Sequence, residues 1–166
     1  MGAQAFEDSL HAGRHQALSR FVGRWRGTTR VWFEPGDPVD QAPIEGTIRA
    51  VLGGRFLIHE YETRFMGARQ EGIAIIGWHI DGNRHEMAWI DSGHTGTQLM
   101  FCEGEAGADA FSVLGHYGGH DGSEPWGWRT AIEADGDDRL VITAWNIQPG
   151  EAETRAIETV YERVRD

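Results

Sequence analysis

The sequence predicts an all-β protein: one antiparallel up-and-down β-barrel of about ten strands, with a short N-terminal helix. Three observations predict it. From Trp25 onward the chain follows the period of two that marks a strand with one buried face. Glycine-bearing turns interrupt this pattern at regular spacing, and glycine supplies the positive φ that tight hairpins need. The intervals between strands are too short for crossover helices, so neighbours run antiparallel, and closing the meander removes its exposed edges. The chain reads as a single domain over 1–166, with 1–22 as helix and cap and 23–166 as barrel.

The elements follow in order. A helix is expected from about Asp8 to Phe21, because Asp8 or Ser9 can cap its first turn and Leu10, Ala17, Leu18 and Phe21 share a face. Gly13 weakens it and Gly23 ends it. In Trp25–Phe33 the odd positions carry Trp25, Val31 and Phe33, and the even ones Arg24, Arg26, Arg30 and Trp32. The Pro-, Gly- and Asp-rich segment 34–43 reads as a loop. Strands are then expected at Ile44–Val51, Arg55–Phe65, Gln70–Asp81, Arg84–Ser92, Gln98–Glu103, Ala110–Tyr117, Gly127–Ala134, Arg139–Ile147 and Thr154–Val164. A second long loop falls at 118–125.

The charge narrows the partners. Fifteen cationic residues, all arginine, against twenty-six acidic ones leave −11. Phosphate backbones and anionic membrane surfaces need clustered cations, so neither nucleic acid nor a membrane is an expected partner. The one cysteine, Cys102, cannot form an internal disulfide, and no signal peptide or span-length apolar run is visible, so a cytoplasmic protein is expected.

Alternation gives the inward face. The expected cavity set is His59, Tyr61, Trp78, Met87, Trp89, Asp91, Trp128, Arg129, Trp145 and Tyr161. Arg129 lies opposite Trp128, and the alternation leaves its face and that of Trp145 open.

Phe21–Gly27 holds a Gly-x-Trp sequence after a short helix and at the head of the first strand. This resembles the signature of lipocalins and related calycin barrels. In that superfamily a last-strand arginine packs across the signature tryptophan, which implies a structural pair of Trp25 and Arg163. Over nearly its whole length the chain also resembles the bacterial lipocalin-like domain-of-unknown-function family numbered 1579. The matching residues are Phe21–Gly27, Leu52–Leu57 with Tyr61, Gly72 and Gly77, Trp89–Ser92 with Thr95 and Gly96, Arg129, and Glu158 with Tyr161 and Arg163. The resemblance implies a calycin-type barrel and no activity. The chain departs from the family at Trp78–Asp81 and in the loop between Tyr117 and Trp126.

The leading expectation is a binding protein for a small apolar or aromatic molecule held in the barrel. A second is an enzyme of isomerase, dehydratase or cyclase type, in which Asp91, His59 or Tyr61 moves a proton. Desolvation would raise the Asp91 pKa for that role; the competing role for Asp91 is to cap the turn that follows it. A third is a filled barrel acting as a homo-oligomer or partner module through exposed Trp32 and Trp126. A continuous cavity of roughly 300 Å3 would favour the first two, and a filled interior would argue against both. No cofactor is expected. His116, His120 and Asp121 cluster without strict ligand spacing. Nitrobindin-like barrels bind haem through a histidine, but their marking residues are absent here, and the last two strands carry no histidine. Cys102 reads as an inert buried thiol.

Overall fold

The computed structural model describes residues 2–165. Met1 and Asp166 lie outside them, and with them the outer limits of the expected segments 1–22 and 23–166. The chain forms α1 (Ala3–Ala12), α2 (Arg14–Ser19) and ten strands: β1 (Gly23–Val31), β2 (Asp40–Val51), β3 (Phe56–Phe65), β4 (Ala68–His79), β5 (Arg84–Asp91), β6 (Met100–Gly104), β7 (Phe111–Tyr117), β8 (Trp126–Asp135), β9 (Arg139–Ile147) and β10 (Thr154–Arg163). The strands close into a barrel in sequence order, and β10 returns to pair with β1. Each adjacent pair is antiparallel.

The one helix expected over Asp8–Phe21 is two. Gly13 takes an extended conformation (φ −119°, ψ −151°) between them. Ser9, expected to cap the first turn of a single helix, instead accepts the His15 backbone N–H at 3.3 Å and so caps the second. The two helices close one end of the barrel. Phe6, Leu18 and Phe21 are buried there, Phe21 meets the Phe111 ring edge-on at 6.4 Å, and Arg14 pairs with Asp109 beyond β6.

Strand β2 begins at Asp40, so the expected loop 34–43 is shorter than its composition suggests. Asp40 starts the ladder opposite Val31, and its carboxylate accepts the Met66 N–H at 2.7 Å. Trp32 and Phe33 reverse their expected exposure: Trp32 is buried and Phe33 is 67% exposed. The strand ends at Val31, so the alternation stops, and the turn folds Trp32 back to donate its indole N–H to Gly36 at 3.0 Å. Trp126 is half-buried beside Tyr117.

The inward faces otherwise alternate as a strand dictates. On β5, His85, Met87, Trp89 and Asp91 all point into the barrel. On β4, Ala74 and Ile76 point in, while Ile73 and Ile75 point out into solvent. The first and last strands meet where the helices end. Arg163 sits opposite Trp25 in the ladder, and its guanidinium lies 4.3 Å from the centre of the Trp25 ring. The same guanidinium donates to the carbonyls of Val22 at 2.6 Å, Arg20 at 3.0 Å and Asp137 at 2.6 Å. Those of Arg20 and Val22 are orphan carbonyls at and after a helix end, which a cation satisfies well. No helix among the described residues is long and apolar enough to cross a membrane.

Candidate functional site

The polar groups of the interior fall into two layers. The deeper layer holds His59, Tyr61 and Tyr161. His59 Nε2 lies 3.1 Å from the Tyr161 hydroxyl, and the rings of His59 and Tyr61 are 5.0 Å apart. The Trp89 indole donates to the Tyr61 hydroxyl at 3.0 Å. Two glycines make room for this layer. A Cβ at Gly72 would lie within the Tyr61 ring, and one at Gly46 would press on the Tyr161 hydroxyl. Burial pushes the His59 imidazole down to about 4, so it is neutral at neutral pH. Burial likewise pushes the Tyr61 and Tyr161 phenols upward.

The second layer lies at the barrel end away from the helices. Trp89 and Trp128 stack at 5.4 Å with their planes 17° apart. The ring of His94, from the turn between β5 and β6, reaches both, at 5.9 Å and 5.6 Å, and Phe65 stands 6.5 Å away. His94 is held by hydrogen bonds. Its Nδ1 is 2.8 Å from Asp91 Oδ2 and 3.0 Å from the Gln70 amide nitrogen, which itself donates to Asp91 at 2.7 Å. The other Asp91 oxygen accepts the N–H groups of Gly93 at 3.2 Å and Thr95 at 2.8 Å. Burial would push the Asp91 carboxyl up, but the bonds from His94, the Thr95 amide and Gln70 outweigh it and hold the group below its ordinary value. The carboxylate is therefore the latch of the turn 92–99, and the raised pKa expected for proton transfer is absent.

A cavity of about 90 Å3 lies among these groups, beneath the His94 ring. His59, Tyr61, Met87, Trp89, Asp91 and Trp128 line it, together with Gln70 and His94. Sequence reasoning did not place Gln70 and His94 there. His94 sits in a turn, where no periodicity assigns a face, and the sequence offered only the expectation that Asp91 caps that turn. Tyr161 lies beneath the cavity, joined to it through His59. Three expected cavity residues lie elsewhere. Trp78 packs at the helix end, with His85 at 4.8 Å and Arg14 at 5.4 Å from its ring. Arg129 and Trp145 are ladder partners on the outer face, the guanidinium 3.7 Å over the indole and bonded to Glu153 at 2.7 Å. Trp128 takes the inward position, and strand alternation then forces Arg129 out.

The loop between Tyr117 and Trp126 is open to solvent, with His120 and Asp121 exposed, and His116 is exposed on the outer face of β7. Asp121 accepts both the backbone and hydroxyl of Ser123, at 3.0 Å and 2.6 Å. Among the described residues no three His, Cys, Asp or Glu side chains converge to hold a metal ion. Cys102 is fully buried, and burial pushes its thiol up to about 12. A wider, shallow groove of about 610 Å3 runs over the outside of β1–β5, lined by ion-paired side chains such as Arg26 and Glu45.

The profile of a family described as "Protein of unknown function (DUF1579)" matches residues 11–163. No curated protein matches the sequence. Among solved structures, the crystal structure of Rv2717c from M. tuberculosis is 18% identical, covers 90% of this chain and 96% of its own, and superposes with a TM-score of 0.58. At that identity the likeness concerns the fold. A de novo designed fluorescence-activating β-barrel is 12% identical over 89% of this chain and 97% of its own, with a TM-score of 0.45.

Proposed function

This chain belongs to the DUF1579 family of proteins of unknown function, and we propose that it binds a small apolar or aromatic molecule at the open end of its barrel. The observation that carries this reading is the box formed by Trp89, Trp128 and Phe65 around the His94 ring, directly above the cavity. His94 already fills the place that a flat ligand would take. It is held there by side-chain hydrogen bonds, which open locally at small cost.

With the latch closed, the cavity of about 90 Å3 is smaller than the ~150 Å3 apolar cavity known to accept benzene. The closed form then takes a molecule of a few non-hydrogen atoms. A ring-sized ligand displaces His94 and stacks on Trp89 and Trp128. The same volume is short of the ~300 Å3 expected of a small-molecule cavity, so the closed barrel does not meet that expectation and the proposed binding rests on His94 leaving its place.

The protonation states support binding over proton transfer. Asp91 is held ionised, His59 is pushed down to about 4, and the Tyr61 phenol is pushed up. None of the three exchanges a proton readily near neutral pH, as a general acid or base must.

Intrinsic tryptophan fluorescence tests the reading. Titration with toluene and p-cresol is expected to give saturable quenching and a one-to-one adduct in native mass spectrometry. Both signals should vanish in a Trp128→Ala variant that still melts cooperatively. Absence of saturation with either compound up to millimolar concentration, and of any co-purified small molecule, overturns it.

A further inference from the structure

Two groups on the wall of the barrel cavity keep hydrogen-bonding capacity that the chain does not use. The first is His59, which is 6% exposed and whose side chain makes one hydrogen bond, between Nε2 and the Tyr161 hydroxyl at 3.1 Å. Tyr161 is fully buried, and among the described residues His59 is the one partner of its hydroxyl. The phenol hydrogen is therefore satisfied only when Tyr161 donates it to Nε2. His59 is neutral, and a neutral imidazole carries a single N–H, so the proton sits on Nδ1. Among the described residues, the one buried side-chain nitrogen or oxygen that is both sealed and unpartnered is His85 Nδ1. The unpartnered Nδ1 of His59 therefore opens on the cavity that His59 lines.

The second group is Tyr61, two residues further along the inward face of β3, with its ring 5.0 Å from that of His59. Its hydroxyl accepts the Trp89 indole N–H at 3.0 Å, which leaves its own hydrogen unspent. Asp91 is the one carboxylate on the cavity wall, and it takes its bonds from Gln70, His94, Gly93 and Thr95 and none from Tyr61. Neighbouring positions of one strand thus offer the cavity an N–H and an O–H, and no free acceptor beside them.

We propose, on the reading that this end of the barrel binds a small aromatic molecule, that the ligand is uncharged and carries an acceptor oxygen on its ring, as an aromatic aldehyde or ketone does, with that oxygen held by His59 and Tyr61. A carbonyl oxygen has two lone pairs and can accept from both donors. An aromatic hydrocarbon leaves both donors unmade in a buried site, which is costly. An aromatic carboxylate meets the ionised Asp91 on the same wall, in a chain of net charge −11. An ammonium finds donors where it needs acceptors.

Calorimetric titration at pH 7.5 with toluene and benzaldehyde, which differ by one oxygen, tests the proposal. The wild type is expected to bind benzaldehyde about tenfold more tightly than toluene. The chain has no lysine, so the aldehyde finds no side-chain amine with which to form an imine. Benzoate and benzylammonium should each bind more weakly than benzaldehyde. Tyr61→Phe and His59→Leu should each bring the benzaldehyde-to-toluene ratio toward one, and a ratio taken within one variant compensates for any general loss of packing. A readout that needs no variant is the infrared carbonyl stretch of isotope-labelled benzaldehyde bound to the wild type, expected below its position in an alkane. Equal affinities of the wild type for toluene and benzaldehyde, a charged analogue that binds most tightly, a ratio unchanged in both variants, or a carbonyl stretch at its alkane position overturns the proposal and leaves aromatic binding standing. Failure of both toluene and benzaldehyde to bind up to millimolar concentration overturns the two together.

Discussion

At one end of the barrel, two helices bury Phe6, Leu18 and Phe21 against the strands, and Arg163 pins three backbone carbonyls beside Trp25. At the other end, one turn is held by the contacts of Asp91 with Gln70, His94, Gly93 and Thr95. The first closure rests on apolar area and cannot be undone without exposing the core. The second rests on hydrogen bonds whose partners water can replace, so it can open while the barrel stays folded. The proposed binding site lies at the second end, whose closure can open without exposing the core.

The largest effect should come from the sealed end. Trp25→Ala removes a buried ring and its contact with Arg163, and should cost ~3–5 kcal/mol in urea unfolding. A loss below about 1 kcal/mol would mean that this end is held by the helices alone.

Acid acts next, between the two ends. His59 falls to about 4 in the folded state, whereas an unfolded histidine titrates near ~6.5. Between those values the unfolded chain binds the extra proton. The stability gained from keeping His59 neutral is complete above about 6.5 and is lost as the pH falls toward 4, to roughly 3 kcal/mol. Urea midpoints at pH 7.5 and 4.5 should converge in His59→Gln relative to wild type. An unchanged acid sensitivity would assign the loss to other groups, such as His85, which burial also lowers to about 4.

Arg163→Met keeps the packing of the side-chain stem but removes the cation and its donors. The expected cost is about 2 kcal/mol, since a cation–π contact contributes ~0.5–2 kcal/mol and the carbonyls gain water. Thermal unfolding reads it directly, and a rise in melting temperature would contradict the bracing role.

The smallest global effect belongs to Asp91→Asn, at about 1 kcal/mol, because it loosens only the latch. Amide hydrogen exchange across residues 92–98 should accelerate on the order of tenfold while α1 and α2 stay unchanged. Uniform acceleration would show that both ends open together.

Much of this architecture was legible in the residues. Period-two alternation placed His59, Tyr61, Met87, Trp89 and Asp91 inside, and the pairing of Trp25 with Arg163 followed from the calycin resemblance. What escaped depends on tertiary geometry. Whether Gly13 breaks a helix is decided by what packs on either side of it. Arg129 and Trp145 needed a register, since either residue suits either face. His94 came from a turn, where no period applies. Ile73 and Ile75 defeat the rule that apolar residues point inward, because β4 is apolar on both faces. The cavity volume is set by packing among many side chains, and no pattern in one strand encodes it.

The pairing of β1 with β10 also sets an order of events. Trp25 and Arg163 are separated by most of the chain, so the loop they close is the most expensive in entropy and the ring can anneal last at that seam. Contacts that form after the rate-limiting step govern how long the folded state survives, and not how fast it is reached. Arg163 is then a determinant of lifetime: in Arg163→Met the unfolding arm of a chevron should rise while the folding arm stays close to wild type.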